Sequence, residues 1–202
     1  MKGYNCRFLV DEVKRRINDQ EYSDDDIRGF LNSAQLEVLG EEHYPFLEKI
    51  HRFDSIGEGE VALPLDYQST FQVLLDGRVL EYIPYEKYLK QSTAGQYTIY
   101  GDKRLFFRSF SENPARLEHF YLAKPYIMEK DDEPIIPYEF MEVLILGALY
   151  RVEQSRDNFD FAEMHRRHQD ELILSMKKRY CMRHQDVRNR ARVRVNGMGR
   201  IY

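Results

Sequence analysis

The sequence predicts an α+β protein: mainly a helical bundle, with an inserted antiparallel β-sheet region and an extended basic C-terminal arm. Three observations predict this class. Apolar residues recur at helical spacing towards both ends of the 202-residue chain. The middle third alternates segments rich in Tyr, Val and Ile with turn pairs. Residues 184–202 are rich in arginine. A chain of 202 residues buries about 70% of its unfolded surface on folding, which is enough to form a hydrophobic core.

Two N-terminal helices are predicted. The first covers about Phe8–Asn18, with an apolar stripe of Leu9, Val13 and Ile17. The second follows Ser23, whose hydroxyl forms an approximate capping box with Asp26, and it extends to about Glu41. Its stripe consists of Ile27, Leu31, Ala34 and Val38, beside Phe30. These helices, N-terminal residues 1–45, are expected to pack as an antiparallel pair.

Seven strands are predicted in residues 46–126, the inserted antiparallel β region. They are Phe46–Ser55, Glu60–Leu63, Phe71–Leu75, Arg78–Ile83, Tyr97–Tyr100, Lys103–Phe107 and Arg116–Ala123. Asp76-Gly77 and Gly101-Asp102 predict tight hairpins, because Asp-Gly and Gly-Asp pairs accept the positive φ angles of such turns. Gly57-Glu58-Gly59 predicts a turn between the first two strands.

Two helices are predicted in residues 127–183, and they complete the bundle. Pro137 suits the first turn of a helix, and Phe140–Gln154 is apolar on nearly all sides, which indicates a buried helix. A longer helix is expected over Phe159–Met182. Its predicted apolar stripe is Phe161, Met164, His168, Leu172, Met176 and Tyr180. Residues 184–202 remain as the extended arm.

Charge is distributed unevenly along the chain. The net charge is −4, but residues 1–176 hold 21 basic and 33 acidic side chains, a net charge of −12. Residues 177–202 hold nine basic side chains and one acidic side chain, a net charge of +8. A division of this kind predicts that the basic segment contacts an acidic surface, which belongs either to nucleic acid or to a protein.

The arm has a period of two. From position 190 to position 195, arginine alternates with alanine or valine, so an extended chain would place guanidinium groups on one side and apolar groups on the other. Such an arm can neutralise DNA phosphates or dock on a protein by strand addition. The alternation favours docking, because phosphate binding gains little from an apolar second side. The predicted docking residues are Arg188, Arg190, Arg192, Val193, Arg194, Val195, Arg200 and Tyr202.

No pattern predicts catalysis. The sequence lacks a Gly-rich phosphate loop, and its serines occur without a nucleophile elbow. Cys6 and Cys181 stand apart from any His or acid motif that would activate a thiol. We therefore predict a protein that is not an enzyme, with no catalytic residues and no cofactor.

Two groups of residues carry metal-binding side chains without metal-binding spacing. His165 and His168 are three residues apart on a predicted helix, whereas a helical zinc pair usually has a spacing of four and needs further ligands. Asp131, Asp132 and Glu133 lack the loop spacing of a calcium site. We predict no metal site, although the sequence leaves open whether this acidic cluster takes a cation.

Membrane insertion and secretion are not predicted. The longest apolar stretch, Val143–Tyr150, is far shorter than the roughly 20 residues of a spanning helix. Met1–Arg16 carries charges where a signal peptide needs an apolar run. Two distant cysteines do not form a disulfide framework, which indicates a reducing compartment.

Several strings, in this order of elements, carry a family resemblance. They are Tyr100-Gly101-Asp102, Leu105-Phe106-Phe107, His119-Phe120-Tyr121, Asp132-Glu133-Pro134-Ile135-Ile136-Pro137, Leu146-Gly147-Ala148-Leu149 and Asp157-Asn158-Phe159-Asp160-Phe161-Ala162. With the helical pair before them, they resemble the head–tail adaptor (connector ring, head completion) proteins of tailed bacteriophages. The resemblance covers about residues 24–180.

The resemblance implies a virion structural protein of the neck, made in the host cytoplasm. Its copies would form a ring, typically of twelve subunits, between the portal protein and the tail or nozzle protein, and DNA would pass through without sequence-specific binding during genome ejection. The helices at 24–41 and 159–182 would form the wall between subunits, and the sheet would face the tail or the outside. The arm would dock on the portal through ionic contacts of Arg188, Arg190, Arg192 and Arg194.

Two alternatives share these features. A small nucleic-acid-binding regulatory protein would use the same basic arm, and its duplex binding would weaken steeply with salt. A tail-completion or neck protein further from the portal would differ only in the identity of its neighbour.

Overall fold

The computed structural model describes residues 4–18, 21–40, 42–54, 59–101, 103–110 and 116–182. Within these ranges the chain is α+β, as predicted, with five α-helices, two of them long and packed together near the C-terminal end, and two four-stranded sheets. The residues up to Phe46 and from Pro125 onward form a helical unit, and Leu47–Lys124 form a sheet unit.

The helices are α1 (Cys6–Ile17), α2 (Asp24–Gly40), α3 (Tyr85–Gln91), α4 (Glu142–Ser155) and α5 (Phe159–Lys177). Short 3₁₀ turns occur at Pro45–Leu47 and Tyr138–Phe140, and a π-helical turn, Lys178–Met182, continues α5. α1 begins two residues before its predicted start because the side chain of Asn5 caps it, accepting a hydrogen bond from the Phe8 N–H at 3.1 Å.

The predicted start of α2 is confirmed. The Asp26 N–H donates to Ser23 Oγ at 3.2 Å, and the Ser23 N–H donates to Asp26 Oδ2 at 3.0 Å, which is the reciprocal pair of a capping box. The predicted stripe of α2 is buried: Ile27, Leu31, Ala34 and Val38. α4 is buried on nearly all sides, also as predicted. α1, α2 and α5 therefore all pack against apolar side chains of α4.

The strands are β1 (Glu48–Asp54), β2 (Glu60–Ala62), β3 (Tyr67–Leu75), β4 (Arg78–Val79), β5 (Glu81–Tyr82), β6 (Gln96–Tyr100), β7 (Arg104–Phe107) and β8 (Arg116–Ala123). One sheet has the order β1-β8-β3-β4 and the other β2-β7-β6-β5. A shared core of residues such as Tyr67, Val73, Leu105 and Phe107 joins the two sheets. The sheet unit therefore has a hydrophobic core of its own.

Both predicted two-residue hairpins are confirmed: β3 pairs with β4 across Asp76-Gly77, and β6 pairs with β7 across the Gly101 turn. The strands predicted on either side of Gly57-Glu58-Gly59 do not pair with each other. β1 pairs with β8, and β2 pairs with β7, so they lie in different sheets. A turn signal shows that the chain bends, but long-range packing selects the partner of each strand.

The segment after Val79 differs from the single strand predicted there. It breaks into β4 and β5, and Pro84 then leads into α3, a helix that the sequence analysis missed. Because α3 connects them, β5 and β6 pair in parallel, whereas an entirely antiparallel region was predicted.

His119 is expected to make the sheet unit sensitive to acid. It is fully buried on β8, opposite His51 on β1 and Val73 on β3, and its Nε2 lies 2.8 Å from Thr70 Oγ1. Burial, with a smaller contribution from His51, lowers its pKa from 6.5 to about 4. Between these values the unfolded chain binds a proton that the folded chain does not bind.

Stability from this histidine is therefore full above about pH 6.5 and is lost as the pH falls towards 4. Urea unfolding at about pH 7.5 and about pH 5 should show an acid-dependent loss of about 2 kcal/mol in the natural chain. The His119→Gln variant should not show this loss. Equal losses in the two proteins would contradict the prediction.

Candidate assembly interface

Three helices of the helical unit meet at Gly147. Gln169 on α5 is fully buried, and its Nε2 donates to the Val143 carbonyl on α4 at 3.1 Å. A Cβ atom on Gly147 would lie 2.4 Å from Gln169 Nε2 and 2.7 Å from the Cβ of Ala34 on α2. The absence of a side chain at Gly147 therefore allows α2, α4 and α5 to approach closely.

A charged bridge joins the same three helices nearer the surface. Glu37 on α2 accepts hydrogen bonds from Arg151 on α4 at 2.5 Å and from Arg166 on α5 at 2.6 Å. Partial burial disfavours ionisation of Glu37, but the two guanidinium groups outweigh it and lower the pKa of this carboxyl. The bridge and the Gly147 contact together give the surface of α5 a rigid support.

The apolar stripe predicted on α5 is only partly buried. Its later members are buried or half-buried: Leu172, Met176 and Tyr180. Its earlier members form an exposed α5 face: Phe161, Met164 and His168. The side of α5 towards the core instead presents Ala162 and Gln169, because a small and a polar side chain fit the close contact at Gly147. The rotation of α5 about its axis decides which of its side chains are buried, and hydrophobicity alone could not predict it.

The exposed α5 face is a candidate interaction surface because of its composition. Phe161 is 54% exposed and Met164 is 52% exposed, and Phe159 at the first turn is also exposed. Adjacent exposed apolar side chains of this size on a rigid helix indicate a contact with another protein. Leu36 on α2 is a further exposed apolar residue of the helical unit.

A second group of exposed aromatic residues lies near the start of α1. The ring of Tyr4 contacts Phe8 at a centroid distance of 4.8 Å and Tyr138 at 4.4 Å. The Tyr138 hydroxyl donates to the Tyr4 hydroxyl at 2.9 Å. The contacts fix these three partly exposed rings in one arrangement, available to a partner.

The chain that leads to the arm is held at several points. We call residues 177–181 the arm root. Lys177 Nζ pairs with Glu42 at 3.0 Å, and Arg179 Nη2 pairs with Glu139 at 3.3 Å. The Cys181 thiol lies 3.6 Å from the His43 carbonyl oxygen. The arm root is therefore fixed to the helical unit by residues from two distant parts of the chain.

Tyr180 is the centre of the arm root. Its ring packs edge-on against Phe46 at a centroid distance of 5.5 Å and against Phe140 at 6.1 Å. Its hydroxyl donates to Glu139 Oε1 at 2.8 Å. This hydrogen bond lowers the pKa of Glu139, and the ionised carboxylate also attracts Arg179.

The predicted docking residues lie outside the described residues: Arg188, Arg190, Arg192, Val193, Arg194, Val195, Arg200 and Tyr202. The structure thus describes the point from which the arm starts. Glu139, Glu42 and Phe46 are part of this site, although they were not among the residues predicted from the sequence. Their contacts span about 40 to 140 positions of sequence, so no local motif marks them.

The acidic cluster at 131–133 has a structural role at Asp132. Its Oδ2 accepts a hydrogen bond from the Glu129 N–H at 2.7 Å, and its carbonyl accepts one from the Cys6 N–H at 2.8 Å. In the described ranges, no group of three or more His, Cys, Asp or Glu residues is arranged to hold a metal ion. Among the helices that the structure describes, none has the length and apolarity to cross a membrane.

Comparison with protein families decides the identity of this helical unit and its sheet insertion. The family model of the SU10 adaptor protein matches residues 5–196. The chain belongs to the SU10 adaptor protein family. It is therefore a phage head–tail adaptor, a structural protein of the virion, and its family is not a family of enzymes. A comparison with curated protein sequences gave no match.

Membership of the SU10 adaptor family confirms the resemblance noted in the sequence. It implies a portal and a tail as partners. The adaptor role also gives a reason for exposed apolar surface on a rigid helical unit, because a joint must contact several neighbours at once.

Proposed function

We propose that this SU10 adaptor forms a homo-oligomeric ring, typically of about twelve copies, between the portal and the tail protein below. DNA passes through the ring without sequence-specific binding, and residues 184–202 dock each copy on the portal. The observation that carries this proposal is the arm root. A segment whose sequence is basic, with Arg alternating with Val or Ala, follows a point that ion pairs, a tyrosine hydroxyl and two aromatic contacts hold to the helical unit.

The fixed arm root favours a docking role for residues 184–202 over a tail that binds nothing. Fixing one end of a segment reduces the entropy that is lost when the segment orders on a partner. The +8 charge of residues 177–202 suits an acidic partner surface, and the alternating Arg and Val residues suit strand addition with apolar pockets. A tail that contacts nothing would gain from neither feature.

The ring is supported by the exposed α5 face and by charge. A closed ring needs two different faces of one subunit to meet, and α5 and α2 each expose apolar residues such as Phe161, Met164 and Leu36. The −12 charge of residues 1–176 repels phosphates, which suits a passage that must not hold DNA. In this proposal residues 1–45 and 127–183 form the wall, and residues 46–126 face the tail or the outside.

Deletion of residues 184–202 is expected to abolish portal docking. The truncated chain should fold with its natural thermal stability, because the described contacts of the arm root lie at positions 177–181 and the truncation leaves them in place. Its affinity for purified portal should fall by about 100-fold or more, since docking loses its main contact. The measurement is equilibrium binding to portal, together with completion of portal-filled heads.

A second variant tests the charge of the arm separately from its apolar side chains. Exchange of Arg190, Arg192 and Arg194 for Gln removes the guanidinium groups and keeps the apolar residues. It should weaken portal binding and reduce its dependence on salt. Normal completion of heads by the truncated chain would contradict the proposal, and salt-sensitive duplex binding by the intact chain would favour the nucleic-acid alternative.

A further inference from the structure

We infer that Glu139 positions the docking arm: its carboxylate holds the arm root, which lies two residues before residues 184–202, in one orientation towards the portal. This inference rests on the proposed function. Glu139 lies in the Tyr138–Phe140 turn, about 40 positions before the arm root. It is not part of the arm, and no sequence pattern marks it.

Glu139 contacts two successive side chains of the π-helical turn, Arg179 and Tyr180. Its Oε1 accepts a hydrogen bond from the Tyr180 hydroxyl at 2.8 Å and lies 3.3 Å from Arg179 Nη2. Phe140, the next residue, packs on the Tyr180 ring at 6.1 Å. One short turn thus contacts both the polar end and the ring of Tyr180, which fixes how the arm root is rotated.

The arrangement points to positioning rather than to stability. The Glu139 and Arg179 side chains are 38% and 55% exposed, and ion pairs of this exposure contribute little to folding. The π-helical turn continues α5 with a different backbone hydrogen-bond pattern, and the Glu139 contacts fix two of its side chains. Loss of the Glu139 contacts should therefore partly free the arm root, at Arg179 and Tyr180, while the contacts of Lys177 with Glu42 and of Tyr180 with Phe46 remain and the helical unit stays folded.

A freed arm root should weaken docking. The arm would then start in many directions, and binding to the portal would lose the benefit of a prepared orientation. We expect an affinity for purified portal about tenfold weaker in the Glu139→Gln and Tyr180→Phe variants. The losses in the double variant should be less than additive, because both substitutions weaken the same contact: Gln removes the charge of the acceptor, and Phe removes the donor hydroxyl.

Alkylation of Cys181 reports the arm root directly in the full chain. Its thiol lies against the His43 carbonyl and is half-buried, and burial raises its pKa, whereas Cys6 is fully buried. Iodoacetamide should react several-fold faster with Cys181 in both variants than in the natural chain. The matched control is Glu60→Gln, which removes an exposed ion pair with Arg104 in the sheet unit and should change neither alkylation nor portal affinity.

The outcomes separate this inference from the proposed function. Faster alkylation, weaker portal binding and unchanged thermal stability in the Glu139 and Tyr180 variants support it. A fall in thermal stability with normal affinity would show a merely structural role and overturn it, as would normal behaviour in both assays. If the chain without residues 184–202 binds portal normally, the proposed function fails and the inference fails with it. If that chain loses binding but the variants keep it, the inference alone fails.

Discussion

The Gly147→Val substitution is expected to lower the free energy of unfolding by about 3 kcal/mol. Even a Cβ atom at this position would come within 2.4 Å of Gln169 Nε2 and 2.7 Å of the Ala34 Cβ. The Gln169 side chain is fully buried, so it has no free space to enter, and Ala34 can move only if α2 moves. The hydrogen bond from Gln169 to the Val143 carbonyl would be lost as well.

The matched control is Gly29→Ala on α2. Gly29 is exposed, and a Cβ atom there would meet nothing within 4 Å. Alanine should therefore raise the free energy of unfolding by about 0.5–1 kcal/mol through its higher helix propensity. Urea unfolding of the two variants measures both effects. A Gly147→Val protein with natural stability would contradict the close contact of the three helices.

A variant with both Phe161→Glu and Met164→Glu is expected to stop ring formation. Both side chains are more than half exposed, so glutamate should change the stability of the single subunit by no more than about 0.5 kcal/mol. At a contact between copies, however, the same substitution buries two unpaired carboxylates at every interface of the ring. The mass of the species formed with portal measures assembly, and urea unfolding checks the fold.

Leu174→Glu provides the control for this prediction. Leu174 is 52% exposed on the same helix, but it lines a groove of about 230 Å³ beside Glu37 and Val38 of α2. Its substitution should leave assembly intact. If Leu174→Glu stops assembly and the Phe161 and Met164 variant assembles normally, the contact between copies lies on the groove and not on the exposed α5 face.

Local chemistry predicted much of the fold. The capping box at Ser23 and Asp26 and the Asp76-Gly77 hairpin formed as expected, because both depend on residues within four positions. The burial of α4 was also predicted correctly, from its apolar composition. The order of elements, together with short strings of residues, was enough to suggest the correct family.

Features that depend on distant residues could not be predicted. β1 and β2 are consecutive strands and yet join different sheets, since their partners, β8 and β7, lie near the C-terminal end of the β region. The rotation of α5 follows from the contact of Gln169 with Gly147, which reverses the expected exposure of Phe161 and Met164. Glu139 contacts Tyr180 across about 40 positions of sequence, so the contacts that hold the arm root could be recognised only from the structure.

We propose that this adaptor joins the portal as a ring through its arm. The most direct test is the mass of the complex that the intact chain forms with purified portal, measured beside the chain without residues 184–202. We expect a discrete complex that holds many adaptor copies per portal, and no such complex for the shortened chain. An intact chain that leaves the portal unoccupied, or a shortened chain that forms the same complex, would contradict the account.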